Sequence, residues 1–82
     1  MQTICLFGGD YASPAQVHES LKSLLALPSW YGMNADALSD CLSEMPSCPA
    51  LWIRPEGSDE VVSCLRLVAR VFRDQGADVK EF

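Results

Sequence analysis

The stretch VVSCLRLVARVF, residues 61–72, carries the clearest periodic signal in the chain. Its apolar residues recur at the 3.6-residue spacing of an amphipathic helix. Ser58, Asp59 and Glu60 precede it as a capping serine and two acids, which the positive end of a helix dipole favours. Gly76 suits the C-terminal cap. The pattern therefore predicts a last helix that packs one apolar face on a core.

Candidate strands lie on both sides of this helix. ALWI, residues 50–53, is an apolar run too short for a helix and is closed by Pro55 and Gly57, and residues 79–82 could supply a brief strand beyond the helix. Two strands joined through a helix pair in parallel. The second half of the chain therefore predicts two parallel strands, the last of them at an edge.

The first half of the chain begins with another strand pattern. TICLF, residues 3–7, is a continuous apolar run that ends at glycines, which is typical of a buried strand. Ser13, Pro14 and Gln16 then match a capping serine, a proline at the first helical position and the glutamine of a capping box. This predicts a first helix that runs to about Leu25.

The middle of the chain predicts a second, shorter helix. Asn34 is a plausible N-cap, and Pro46 ends the segment. The full order of elements predicts an α/β fold in which a small three-stranded parallel sheet packs against helices in two layers, with the helices mainly on one face. We expect a single domain over residues 1–82.

Charge and hydropathy exclude several classes of partner. The net charge of the 82-residue chain is −5, and only 6 residues are lysine or arginine, which does not suit nucleic-acid binding. A basic protein fits better. Neither a signal peptide nor an apolar run of about 18 residues is apparent, so we expect no membrane partner and a soluble, cytoplasmic protein.

Four cysteines, Cys5, Cys41, Cys48 and Cys64, form neither a C-x-x-C pair nor a cluster with histidine. We interpret them as reduced thiols that act as small buried hydrophobes. The sequence leaves a disulfide between two of them open.

Acidic side chains line one side of the second helix. Asp36, Asp40 and Glu44 follow each other at four-residue spacing, where like charges cost about 0.2–0.5 kcal/mol per pair. Asp40 has no lysine or arginine three or four residues away. The row fits either a plain solvated face or a binding surface. Asp74, near the end of the last helix, is likewise either paired with Arg70 or part of such a surface.

Two aromatic residues, Trp30 and Tyr31, precede the acidic helix in a loop. Core packing explains either of them, but aromatic side chains beside charges are also typical of protein-binding hot spots. One ring facing inward and the other outward would satisfy both interpretations.

Catalysis and cofactor binding have little support. The only histidine, His18, is predicted on the polar side of the first helix, without a nucleophile beside it in any motif. The GGD turn is too short to hold a phosphate, and two carboxylates on an exposed helix would leave most of a cation's coordination to water. We therefore predict no enzyme activity, no cofactor and no metal site.

The segment LxxLLALPxWYGxNxDALxDCL, residues 21–42, resembles the signature of the barstar family of intracellular inhibitors of the ribonuclease barnase. VFRD, residues 71–74, is similar to a weaker motif in the family's last helix. The resemblance implies a three-stranded parallel sheet packed against helices. It also implies inhibition by an acidic helix and its preceding loop, which enter the ribonuclease active site.

Residue by residue, the resemblance assigns roles to several side chains. It implies that Asp40 takes the place of a substrate phosphate and that Asp36 makes a second ionic contact. Trp30 stands where the family usually has a tyrosine that stacks on a catalytic histidine, and Asn34 and Asp74 match interface positions. The predicted partner-binding set is Trp30, Tyr31, Asn34, Asp36, Asp40, Glu44 and Asp74.

The chain departs from the family pattern at the rim of this surface. Ser39 stands where many members have a tryptophan, and Glu44 and Met45 replace a Gly-Trp pair. The last helix is also about three residues shorter, which removes a further acidic contact. The target stays open between barnase, another ribonuclease and a contact-delivered toxin; the rival interpretation is an acidic adaptor for a different basic surface. We expect the free protein to be monomeric.

Overall fold

The computed structural model describes residues 3–82, so the first two residues of the predicted domain lie outside the described part. In chain order the elements are β1 (Thr3–Phe7), a 3-10 turn (Gly8–Asp10), α1 (Pro14–Leu24), α2 (Ala35–Ser43), β2 (Ala50–Arg54), α3 (Asp59–Asp74) and β3 (Val79–Glu81). The predicted order of strands and helices is confirmed.

The three strands form one sheet in the order β1, β2, β3, and both strand pairs are parallel. Buried and exposed residues alternate along β1, with Ile4 and Leu6 buried, and along β2, with Leu51 and Ile53 buried. These inward side chains pack with the helices in one core. The α/β, two-layer prediction is confirmed. The expectation of a fully buried first strand is wrong, because the helices cover only one face of the sheet.

Helix α3 is the centre of the core. Leu65 and Phe72 have no exposed surface, and Phe72 is the largest fully buried side chain in the described part of the chain. At the start of the helix, the Ser58 hydroxyl accepts a hydrogen bond from the Val61 amide at 3.2 Å. Just beyond its end, Gly76 has a φ of +83°, a conformation that glycine adopts without strain. Both predicted ends of this helix are confirmed.

The start of α1 differs from the prediction in one detail. The Ser13 side chain makes no capping hydrogen bond. The Gln16 Oε1 atom instead accepts a hydrogen bond from the Ala12 amide at 2.7 Å. The predicted capping box is therefore wrong, because the glutamine reaches back to the amide one residue before the N-cap while the serine hydroxyl is not used.

All four cysteines are free, and they differ in exposure. Cys41 is buried and Cys48 and Cys64 are half-buried, but Cys5 is exposed on the uncovered face of the sheet. The prediction of buried thiols is therefore wrong for Cys5, since this position alternates with the inward residues of β1. Within residues 3–82, no helix has both the length and the apolar character to cross a bilayer.

Candidate partner-binding surface

Asn34 fixes the start of α2 beside the preceding loop. Its Oδ1 atom accepts a hydrogen bond from the Ala37 amide at 2.8 Å, and its Nδ2 donates to the Gly32 carbonyl at 3.1 Å. The predicted N-cap is confirmed. Because both ends of this amide are engaged within the chain, Asn34 holds the loop and the helix in a fixed relation while remaining exposed.

The acidic row of α2 faces outward. Asp36, Asp40 and Glu44 are exposed, whereas Leu38 and Leu42 on the other side of the helix are buried. Two ion pairs occur within residues 3–82, Arg54 with Glu56 and Arg66 with Glu81, and neither includes a member of the row. The three carboxylates therefore form a row of negative charge without a cationic partner in the described chain.

The charges of this row also affect the pKa of the buried Cys41 thiol. Burial raises the pKa of the Cys41 thiol, and the charges of Glu44 and Asp40 raise it further. Negative charge beside a thiol disfavours the thiolate. Burial and the charges of the acidic row therefore both favour the protonated Cys41 thiol.

The two loop aromatics have opposite orientations. Trp30 is 70% exposed, whereas Tyr31 is 5% exposed and its hydroxyl lies 2.7 Å from Nδ1 of His18. Burial, with smaller contributions from Cys41 and Cys64, raises the pKa of Tyr31 to about 12. The Tyr31 ring packs in the core, so Trp30 presents the larger aromatic surface of the two, and contact of Tyr31 with a partner stays a prediction.

The end of α3 lies against the middle of α2. Gln75 Nε2 donates to Ser39 Oγ at 3.4 Å, and this bond joins residues 36 positions apart in the chain. Asp74, next to Gln75, is exposed and makes no ion pair with Arg70 within residues 3–82. The small Ser39 side chain leaves room for this polar contact between the two helices.

Six of the seven residues predicted to bind a partner are exposed, and we call this set the acidic surface: Trp30, Asn34, Asp36, Asp40, Glu44 and Asp74. It combines four carboxylates with one exposed aromatic ring. In the described residues, no group of three or more histidine, cysteine, aspartate or glutamate side chains is arranged to hold a metal ion. The arrangement suits the binding of cations on a large partner.

The whole sequence matches a known protein family. The family model described as Barstar (barnase inhibitor) matches residues 1–82. The chain belongs to the barstar family. The three-stranded parallel sheet and the helix order agree with that assignment.

A curated protein from Bacillus subtilis (strain 168) is similar to this barstar-family chain. It is named "Putative ribonuclease inhibitor YrdF", and the two sequences are 39% identical over 49 residues. The match covers 60% of this chain and 54% of the relative, so it spans about half the length of that protein. The description of the family and the name of this relative both refer to inhibitors.

The predicted position of His18 in this barstar-family chain is wrong. It is predicted on the polar side of α1, yet it is 7% exposed and is the one buried polar or charged residue in the part of the chain that the structure describes. Its Nδ1 faces the Tyr31 hydroxyl, and its Nε2 lies 3.9 Å from the Cys64 thiol of α3. The prediction fails because the partners of this ring lie 13 and 46 positions away.

Burial of His18 makes the stability of the fold depend on pH. Burial lowers the pKa of His18 below 6.5, its ordinary value, so the unfolded chain takes up the proton first as the pH falls. We expect the free energy of unfolding to keep this contribution above pH 6.5 and to lose it as the pH falls through the folded-state pKa. Urea unfolding between about pH 8 and about pH 5 measures the slope.

The matched control is His18→Asn, which keeps a polar side chain and removes the titration. Carboxylates titrate in both proteins, so the difference between the two pH profiles isolates His18. We expect the wild-type protein to lose more stability than the variant as the pH falls below 6.5. Parallel profiles over this interval would contradict the assignment.

Proposed function

We propose that this chain is an intracellular, cytoplasmic inhibitor of a basic, barnase-like ribonuclease, and that the acidic surface blocks the active site of that enzyme. The observation that carries the proposal is the unpaired row of Asp36, Asp40 and Glu44 beside the 70% exposed Trp30, in a chain of the barstar family. The name of the Bacillus subtilis relative supports the same class of target.

The chemistry of a ribonuclease explains why such a surface would inhibit it. The active site must present cationic groups to a phosphate whose charge grows in the transition state. A fixed row of carboxylates competes with RNA for the same groups, and the net charge of −5 adds to long-range attraction. Inhibition then requires no reaction by the inhibitor.

Each residue of the acidic surface has a proposed role. Asp40 lies at the middle of the row and would replace a substrate phosphate, with Asp36 as the second ionic contact. Trp30 would stack on a ring or a flat cationic group of the enzyme. Glu44 and Asp74 would form the rim, where contacts affect the association rate more than the affinity. Asn34 contributes by fixing the start of α2.

The test is a titration of basic bacterial ribonucleases with this protein, with RNA cleavage as the measurement. The candidates include barnase, any ribonuclease encoded beside this gene and any toxin delivered by contact. We expect stoichiometric inhibition of at least one of them, relieved by a short oligonucleotide that competes for the active site. Added salt should slow association, because exposed charges are screened. Failure to inhibit any of these enzymes would overturn the proposal.

The rival acidic adaptor would bind a basic protein without competing with RNA. Its affinity would depend on total charge, so removing a distant acid such as Asp59 would weaken it as much as removing Asp40. Binding that leaves the cleavage rate unchanged would favour this class, and competition by the oligonucleotide would exclude it.

A further inference from the structure

The loop that carries Trp30, residues 27–34, forms neither a helix nor a strand. Ala26 just before them has a φ of +52°, and Met33 at their end has a φ of +58°, a region that residues with a side chain seldom adopt. Such a backbone persists only where surrounding contacts define it. The position of Trp30 therefore depends on how this loop is attached to the rest of the protein.

One hydrogen bond attaches this loop to the body of α1. The Tyr31 amide bonds to the Pro28 carbonyl and Asn34 bonds to Gly32, both within the loop, while the Leu27 amide reaches only the last turn of α1. The 2.7 Å contact between Tyr31 and His18 joins the loop to a residue of the second turn of α1. Among the hydrogen bonds of the described residues, this one joins residues 28–34 to α1.

An open cavity of about 450 Å³ lies on the histidine side of this contact, and its lining includes His18, Met33, Asn34 and Cys64. Tyr31 does not line this cavity, because its ring packs in the core. Both His18 and Tyr31 are buried, so the hydrogen bond between them is largely shielded from water.

We propose that His18 is a positioning residue, which through its hydrogen bond to the Tyr31 hydroxyl fixes the loop so that Trp30 points out of the protein towards the ribonuclease. The inference rests on the proposed function for its consequence in binding, but its structural part concerns the free protein alone. Tyr31 and Trp30 are adjacent in the chain. Fixing the Tyr31 ring in the core therefore restricts the orientations that the exposed Trp30 side chain can adopt.

The groups around His18 indicate that this residue orients the loop rather than acting through a charge. Tyr31 faces it from the loop and Cys64 from α3, and Glu60 of α3 lines the same cavity. Within residues 3–82, His18 makes no ion pair with a carboxylate. Because burial lowers its pKa, the ring is neutral near pH 7 and acts through its contacts with Tyr31 and Cys64 rather than through charge.

The first experiment measures the mobility of Trp30 in the free protein. The chain has two tryptophans, so a Trp52→Phe background leaves Trp30 as the only one. In this background we expect Tyr31→Phe and His18→Leu each to increase the fast local component of the Trp30 fluorescence anisotropy decay. Tyr11→Phe is the matched control, because its hydroxyl bonds to Ser20 of the same helix at 3.0 Å and does not touch the loop.

Unchanged Trp30 mobility in Tyr31→Phe, in a protein that remains folded by circular dichroism, would overturn the proposal. An equal increase in Tyr11→Phe would also overturn it, since the effect would then come from general loosening of α1. His18→Leu fills a similar volume, and Tyr31→Phe removes only an oxygen, so at least one variant keeps the fold intact.

The second experiment measures binding to the inhibited ribonuclease. We expect Tyr31→Phe to weaken affinity by about 3- to 10-fold, the effect of one buried hydrogen bond, while Tyr11→Phe matches the wild type. Increased Trp30 mobility with unchanged affinity would overturn the positioning role. If the wild-type protein inhibits no ribonuclease, the proposed function fails, and the anisotropy experiment still decides whether His18 fixes the loop.

Discussion

The Asp40→Asn variant is expected to weaken ribonuclease inhibition by at least about 30-fold, which corresponds to about 2 kcal/mol, the threshold of a binding hot spot. Asp40 is exposed at the middle of the acidic row, and within residues 3–82 no cation shares its charge. In the complex, its removal would leave cationic groups of the enzyme buried without a partner. Inhibition constants from RNA cleavage measure the effect.

Asp59→Asn is the matched control, because Asp59 is also exposed but lies at the start of α3. It should change the inhibition constant only slightly, through net charge. The stability of Asp40→Asn should hold or rise, because the repulsion along the row falls. Equal loss of inhibition in the two variants would contradict the assigned role of Asp40, and so would a fall in stability that accounts for the loss.

The Phe72→Ala variant is expected to lower the free energy of unfolding by about 3–5 kcal/mol. Phe72 has no exposed surface, and it lies in the last turn of α3, close to the contact between that helix and α2. A domain of this length has about 4–12 kcal/mol of stability in total. The variant is therefore expected to be marginally folded. Urea unfolding at neutral pH measures the loss.

Phe82→Ala is the control for Phe72→Ala, because it makes the same chemical change at a ring that is 47% exposed on the open face of the sheet. The Phe82 ring is already largely in water, so the substitution should cost only about 1 kcal/mol, mainly from loss of the edge-on contact with Phe7, whose ring centroid lies 5.3 Å away. Similar losses in the two variants would show that Phe72 is not the centre of the core.

Hydrophobic periodicity was sufficient to predict the fold because each element carries its own local signal. Helix α3 repeats its apolar residues at 3.6-residue spacing, and its cap at Ser58 lies where the pattern begins. The alternation along β1 was harder to see, since Cys5 and Phe7 are apolar and yet exposed. The sequence alone does not distinguish an apolar side chain on an uncovered sheet face from one in the core.

The acidic surface was predictable only in part. The spacing of Asp36 and Asp40 places them on one side of a helix, whatever the rest of the chain does. The contact between Ser39 of α2 and Gln75 at the end of α3 joins distant parts of the chain, and sequence spacing carries no information on contacts between helices. Local sequence pattern also does not predict which of the two rings, Trp30 or Tyr31, is exposed.

The sequence by itself determined the parallel three-stranded sheet, the acidic row and the likeness to barstar, because these follow from local periodicity and from motifs within short segments. Only the tertiary structure decided that Tyr31 and His18 meet at 2.7 Å in the core and that Trp30 is left outside. The physical reason is that burial depends on which elements pack together. A histidine in the second turn of α1 becomes buried only when the loop and α3 close over it.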